Sequence, residues 1–130
     1  MFVAAVIGPS GSGKTTLIRE LIRTFVAEGH TVGAIKHTHH LLNEERRGDT
    51  KRFADAGADP VVFAGDSEAV VFERHSTRRI RYASPRDLLA QFHTDVVIVE
   101  GFKQYDGWPR IDTPINLQDA LATFRAMGLT

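Results

Sequence analysis

The stretch Gly8-Pro9-Ser10-Gly11-Ser12-Gly13-Lys14-Thr15 constrains this chain more than any other feature, because of what lies on either side of it. Its spacing is G-x-x-x-x-G-K-[ST]. That spacing makes a loop whose backbone N–H groups, with the helix N-terminus that follows, surround phosphate oxygens. The preceding run "FVAAVIG", 2–8, reads as a wholly buried strand. From Lys14 to Glu28, Leu17, Leu21 and Phe25, flanked by Ile18 and Ile22, form an apolar face, while Arg19, Glu20 and Arg23 look outward. Gly29 ends that helix, and "TVGAIKH", 31–37, is the next strand. Strand, helix and strand at these lengths make a βαβ unit. The expected fold is therefore α/β: a three-layer P-loop NTPase fold with a mostly parallel central sheet.

Within the loop, Gly8, Pro9, Ser10, Gly11, Ser12, Gly13, Lys14, Thr15 and Thr16 are the expected nucleotide-binding residues. Lys14 should reach the β and γ phosphates, Thr15 should ligate Mg²⁺ through its hydroxyl, and Thr16 lies nearest the α phosphate. The base is not legible in this way. The chain has no Asn-Lys-x-Asp element for guanine, and "INLQD", 115–119, is not one. GTP and ATP both stay open at this level.

Beyond a polar loop, "TKRFADAG", 50–57, reads as a short helix. "PVVFAG", "EAVVFERH" and "RRIRYA" read as three short strands, with "AGDSE" as a turn between the first two, which gives an antiparallel excursion from the sheet. "SPRDLLAQF", 84–92, predicts a helix: Ser84 caps, Pro85 takes the first helical position and Asp87 lies in the first turn. "DVVIVEG", 95–101, is a second strongly apolar strand, and Leu117, Leu121 and Phe124 predict a closing helix. No repeat or linker divides the chain, so residues 1–130 are expected to form one P-loop nucleotide-binding domain.

Sixteen basic residues balance sixteen acidic ones, which gives no global reason to expect nucleic-acid or anionic-membrane binding. No apolar run approaches the roughly 20 residues of a membrane span. The apolar start has no basic lead and runs straight into the glycine loop, so a buried strand explains it better than a signal peptide. A cytoplasmic location is expected. The absence of cysteine excludes disulfides, iron–sulfur clusters and thiolate zinc sites.

Two further places carry chemistry. Glu100 follows four apolar residues, at the carboxyl end of a strand, where open α/β sheets bind their ligands. Such a carboxylate holds Mg²⁺, directly or through water, or orients an attacking water, so Lys14 and Glu100 are the expected catalytic pair. Gly101 gives the backbone room near the phosphates and Lys103 adds a positive charge. The second place is "KHTHH", 36–40, at the end of the second strand. Lys36, His37, His39 and His40 admit three readings: a transition-metal site with Glu44, Glu45 and Asp49 as the nearest acids in sequence, an anion or partner site, or a bland exposed loop. The absence of cysteine and the fixed charge of Lys36 favour the anion. His30, His75 and His93 are element-edge residues. Tyr105 and Trp108 point to core closure or a dimer contact. The run Arg78–Arg81 reads as a solvated strand face, with a small phosphate-contact patch as the sharper alternative.

Taken together, "GPSGSGKTTL", "IKHTHH", "VVIVEGFK" with "PRI" at 109–111, and "GDTKRFADAGA" at 48–58 resemble the family of molybdopterin-guanine dinucleotide biosynthesis protein B, MobB, over nearly the whole chain up to about residue 113. The resemblance implies a dimeric P-loop GTP-binding protein with weak Mg²⁺-dependent GTPase activity. It would be accessory to a MobA-like guanylyltransferase that joins GMP to molybdopterin, and molybdopterin itself would be a candidate ligand. Carried onto this chain, Gly8 to Thr16 would bind GTP and Glu100 would be the second Walker carboxylate. His37 and His40 would belong to the histidine motif, and Asp49 to the acidic loop. The chain departs from the family in having Leu41, Leu42 and Asn43 where aspartates are common, and Arg47-Gly48-Asp49-Thr50 lacks the usual lysine. Two other readings compete. One is a small-molecule kinase with Arg46 and Arg47 as a short lid. The other is a metallochaperone-like GTPase acting through His37, His39 and His40.

Overall fold

The computed structural model describes residues 1–39 and 48–129. His40, the polar loop and the expected lid arginines Arg46 and Arg47 lie outside the described residues. Seven strands form one sheet: β1 Phe2–Ile7, β2 Val32–His37, β3 Val61–Ala64, β4 Glu68–Glu73, β5 Ser76–Arg81, β6 Val96–Glu100 and β7 Arg110–Asp112. Among the described residues three α-helices accompany them: α1 Lys14–Ala27, α2 Gly48–Ala56 and α3 Leu117–Ala126. The strand order is β5-β4-β3-β2-β6-β1-β7. The five strands from β3 to β7 in this order are mutually parallel, and β4 and β5 are added antiparallel at one edge. The sheet is thus mostly parallel with an antiparallel excursion, as the sequence pattern predicts.

The pleat sorts the core into two layers. Ala4, Val6, Val32, Ala34, Val96 and Ile98 face the α-helices and pack on Ile18, Leu21, Ile22, Phe25, Phe53 and Phe124. Their odd-numbered neighbours Ala5, Ile35, Val97 and Val99 face the other way, onto Leu88, Phe92, Phe102 and Trp108. Both faces of the central strands are covered. This is why their sequences read as unbroken apolar runs instead of alternating ones.

The second covering layer differs from the expected helix. Pro85–Gln91 is a 3₁₀ helix. Asp87 accepts bonds from the backbone of Ser84 (2.9 Å) and Ala83 (3.2 Å), which ties down the start of the run. Phe92 is already extended and lies against Gly33, where any side chain would collide with its ring. A run of seven residues held at both ends has no length in which to develop the wider α-helical ladder. Strand β7, which periodicity could not reveal in three residues, pairs with β1 through Ala5↔Arg110 and Ile7↔Asp112. Trp108 is buried, with Tyr105 at its edge, so both close the core. On β5, Arg78 pairs with Glu73 on one face, and Arg79 and Arg81 lie near Glu68 of β4 on the other, which makes a solvated, charge-matched strand. Among the described residues no helix is long and apolar enough to cross a membrane.

Phe25 is 1% exposed and packs edge-on against Phe124, joining α1 to α3. Phe25→Ala should cost about 3–5 kcal/mol in urea unfolding. Arg23→Ala, on the exposed side of the same helix, should change stability by less than about 0.5 kcal/mol. Equal effects of the two would contradict the assigned core face.

Candidate functional site

Strand register brings the chemistry to one edge of the sheet. Val6 and Lys36 both stand opposite Glu100 in the parallel ladders, so β1, β2 and β6 end abreast. The phosphate-loop motif leaves β1 at that edge and turns into α1, with Gly13 in the left-handed conformation (φ 88°) immediately before Lys14. The Lys14 ammonium folds back and donates to the carbonyls of Gly8 (2.5 Å) and Pro9 (3.2 Å). Burial lowers its pKa, and the nearby Lys103 and Lys36 reinforce this against the pull of Glu100. An anion placed here would relieve that crowding of positive charge.

Sequence reasoning missed Thr113. Its hydroxyl lies 2.7 Å from Ser12 Oγ and donates to the Ile7 carbonyl (3.0 Å), so the chain just beyond β7 braces the base of the loop. A side chain at Gly8 would strike this hydroxyl. The signal was absent because one threonine a hundred residues away has no local pattern.

Glu100 is 3% exposed. One carboxylate oxygen accepts a 2.6 Å bond from Lys36, and the other is buried with no hydrogen-bond partner among the described residues. Lys36 also lies 3.2 Å from Asp49 of α2, which accepts from Arg52 at 3.0 Å. Desolvation pulls the Lys36 pKa down, but Glu100 and Asp49 outweigh it and the net shift is upward. A cavity of about 480 Å³ is lined by Ser10, Gly11, Gly13, Lys14, Thr15, Thr16, Lys36, Asp49, Glu100 and Lys103. Six of the nine residues expected to hold a nucleotide, and both expected metal ligands, Thr15 and Glu100, therefore share one cleft, while Gly8, Pro9 and Ser12 do not line it. A smaller cavity of about 180 Å³ beside it shares Gly8, Lys14, Lys36, Glu100, Gly101 and Lys103 with His37, His39 and Phe102.

The described part of the histidine segment is divided between the two faces of the sheet. Lys36 and His37 are neighbours on a strand, so the pleat sends them to opposite faces. Lys36 joins the acids on the helix side. His37 stacks on Phe102 on the other side, with ring centroids 4.0 Å apart and planes 14° from parallel. His37 Nε2 lies 3.1 Å from Asp66 and His39 Nδ1 lies 3.3 Å from the same oxygen. Burial lowers the His37 pKa despite its bond to Asp66. Asp66 sits in the β3–β4 turn. Sequence reasoning had looked for acids near the histidines in the chain (Glu44, Glu45, Asp49), whereas the nearby acid arrives through strand pairing. Gly101 lies between this segment and the phosphate loop, on the wall of the smaller cavity. At φ 107°, with a Cβ position only 2.8 Å from His37 Cβ, it makes room for the end of β2.

A parallel sheet, a glycine-rich loop running into a helix, and a buried acid at the neighbouring strand end define a protein of the P-loop NTPase type. Residues 3–114 match the family model MobB, molybdopterin guanine dinucleotide synthesis protein B, and the chain belongs to this family. It is 39% identical over 104 residues to the molybdopterin-guanine dinucleotide biosynthesis adapter protein of Haemophilus influenzae, covering 76% of this chain and 56% of that one. With the adapter protein of that name from Escherichia coli it is 33% identical over 96 residues, covering 72% of this chain and 55% of that one. The chain thus spans little more than half the length of these relatives. In fold it is similar to Bacillus subtilis MobB, with a TM-score of 0.54 at 23% identity, covering 94% of this chain and 73% of that one. The matched segment ends at residue 114, where the motif resemblance also stops.

Removing the Lys36 ammonium would strand a buried carboxylate. Lys36→Met should lower stability by about 3 kcal/mol. Adding Glu100→Gln to that variant should recover much of the loss, because the uncompensated charge is then gone. Additive losses in a denaturant double-mutant cycle would show that the two side chains are not coupled.

Proposed function

We propose that this chain is a GTP-binding accessory protein of molybdenum cofactor biosynthesis, assisting a MobA-like guanylyltransferase in forming molybdopterin guanine dinucleotide. The observation that carries the nucleotide reading is the shared cleft of Lys14, Thr15, Lys36 and Glu100 at the carboxyl edge of β1, β2 and β6. The family supplies the pathway, and the name "adapter" on its relatives supports a partner-dependent role. In this reading residues 1–130 act as one nucleotide-binding unit in the cytoplasm, working as a homodimer.

Mg²⁺ fits the residues present. The Thr15 hydroxyl and the buried, unpartnered Glu100 oxygen are hard donors lining the same cleft. Bound there, the ion would neutralise phosphate charge. Lys14 would exchange its two loop carbonyls for phosphate oxygens, and Gly8 to Thr16 would wrap the phosphates with backbone N–H groups. The smaller cavity, with Lys36, His37, Gly101 and Lys103 on its wall, is where a second anionic ligand such as molybdopterin or a partner's acidic group would lie. Hydrolysis by the isolated protein would be slow. Among the described residues no arginine lines the nucleotide cleft, and an arginine finger contributes about 10³–10⁵ in rate where one is supplied. The kinase reading rests on Arg46 and Arg47, which lie outside the described residues, and nothing described favours it.

Lys14→Ala should weaken GTP binding about tenfold to a hundredfold, the worth of one charge-assisted contact to phosphate, with the fold intact by circular dichroism. Calorimetric titration measures this. Unchanged affinity would remove the phosphate-loop assignment. GTP should displace ATP at equal concentration, and stronger ATP binding would return the kinase reading.

A further inference from the structure

We propose that His37, His39 and Asp66 form a binding site for a divalent transition metal ion of the zinc type, on the face of the sheet opposite α1. Three separate stretches converge there: the end of β2, the loop beyond it, and the β3–β4 turn. One donor atom from each residue lies within 4.8 Å of the other two. The two imidazole nitrogens stand 3.1 and 3.3 Å from Asp66 Oδ1. Donors roughly 2.1 Å from a common ion stand about 3.0–3.4 Å apart along an octahedral or tetrahedral edge. The two spacings to the carboxylate fall in that range, and the two imidazole nitrogens lie within 4.8 Å of each other.

The site is built around His37. Its side chain is 8% exposed, and its ring is clamped on Phe102. Phe102 itself takes a left-handed backbone conformation (φ 55°), which is unusual for a bulky residue and typical of places where geometry serves a site. The turn that carries Asp66 is held as well. Gly65, next to Asp66, donates to the Glu68 carbonyl at 2.8 Å and accepts a bond from the buried Tyr82 hydroxyl. The Thr38 amide bonds Ala64 at 2.8 Å, which anchors the histidine loop beside the turn. Lys36 lines the neighbouring small cavity and its charge reaches His37, but its ammonium is turned to Glu100 and Asp49, which offset most of that charge.

Two imidazoles and one carboxylate, with no sulfur, suit Zn²⁺, Co²⁺ or Ni²⁺ better than a soft monovalent ion. His39 and Asp66 are 83% and 68% exposed at their side chains. The remaining coordination positions therefore face solvent, the arrangement of an exchangeable or ligand-accepting site and not of a closed structural one. Phe102 follows Glu100 by two residues, so the ion would sit just across the sheet edge from the nucleotide cleft.

The test uses the untagged full chain, freed of metal, without nucleotide. Zn²⁺ is titrated by calorimetry and Co²⁺ by its visible absorption. The expected result is one saturable equivalent with Co²⁺ bands indicating nitrogen and oxygen donors. Affinity should fall at least about tenfold in both His39→Ala and Asp66→Asn, the loss of one ligand. These are exposed positions whose substitution should leave the circular dichroism unchanged. Arg23→Ala, on the exposed side of α1, should bind the metal as the parent does. No saturable binding below millimolar metal would overturn the proposal. So would stoichiometric binding that neither His39→Ala nor Asp66→Asn weakens, and the cluster would then be two imidazoles hydrogen-bonded to a carboxylate.

Discussion

Glu100 is the constraint around which this molecule is arranged. It is a carboxylate at the centre of a sheet, flanked on both sides by parallel strands and almost wholly removed from water. A charge in that position is tolerated only with a cation and hydrogen bonds in place. Lys36 supplies one bond from the adjoining strand, and Asp49 with Arg52 on α2 extends the pairing outward. The second oxygen of Glu100 is left without a partner among the described residues. An unsatisfied buried acceptor is costly unless a ligand completes it. That cost suits the hard-cation site proposed for this cleft.

The same strand end also joins two faces of the sheet. Immediately after Glu100, Gly101 and Phe102 both take positive φ values, and the turn carries the chain from the nucleotide side to the aromatic floor beneath His37. A change in how Glu100 is held has a short covalent path to the histidine cluster. The proposed nucleotide and metal functions would then be neighbours through backbone and not through a long relay of side chains.

The antiparallel excursion has a comparable role. β4 and β5 extend the sheet past β3 and leave the arginine-rich β5 as its outer edge, where charge opposes pairing with other chains. The β3–β4 turn also presents Asp66 to the histidines, and Tyr82, just past β5, braces that turn through the Gly65 carbonyl. Burial first, with Asp66 second, pushes the Tyr82 phenol up to about 12, so it stays a donor throughout the physiological range.

Much of this was legible in the residues themselves. The phosphate loop, its flanking strand and helix, the apolar β6 with its terminal acid, and the hairpin strands are all written in local spacing. Local spacing fixes backbone period and which side chains share a face. Membership of the MobB family was legible for the same reason, since its motifs are short and contiguous. What the tertiary structure decided is which distant residues meet. Asp66 reaches His37 across 29 positions, and Thr113 reaches Ser12 across 101. The pleat also parts Lys36 from His37 although they are adjacent in the chain. The 3₁₀ form of Pro85–Gln91 and the three-residue β7 likewise follow from where the sheet needed cover and an edge partner. Such encounters depend on strand order, register and facing, which belong to the whole sheet, and no window of the sequence contains them.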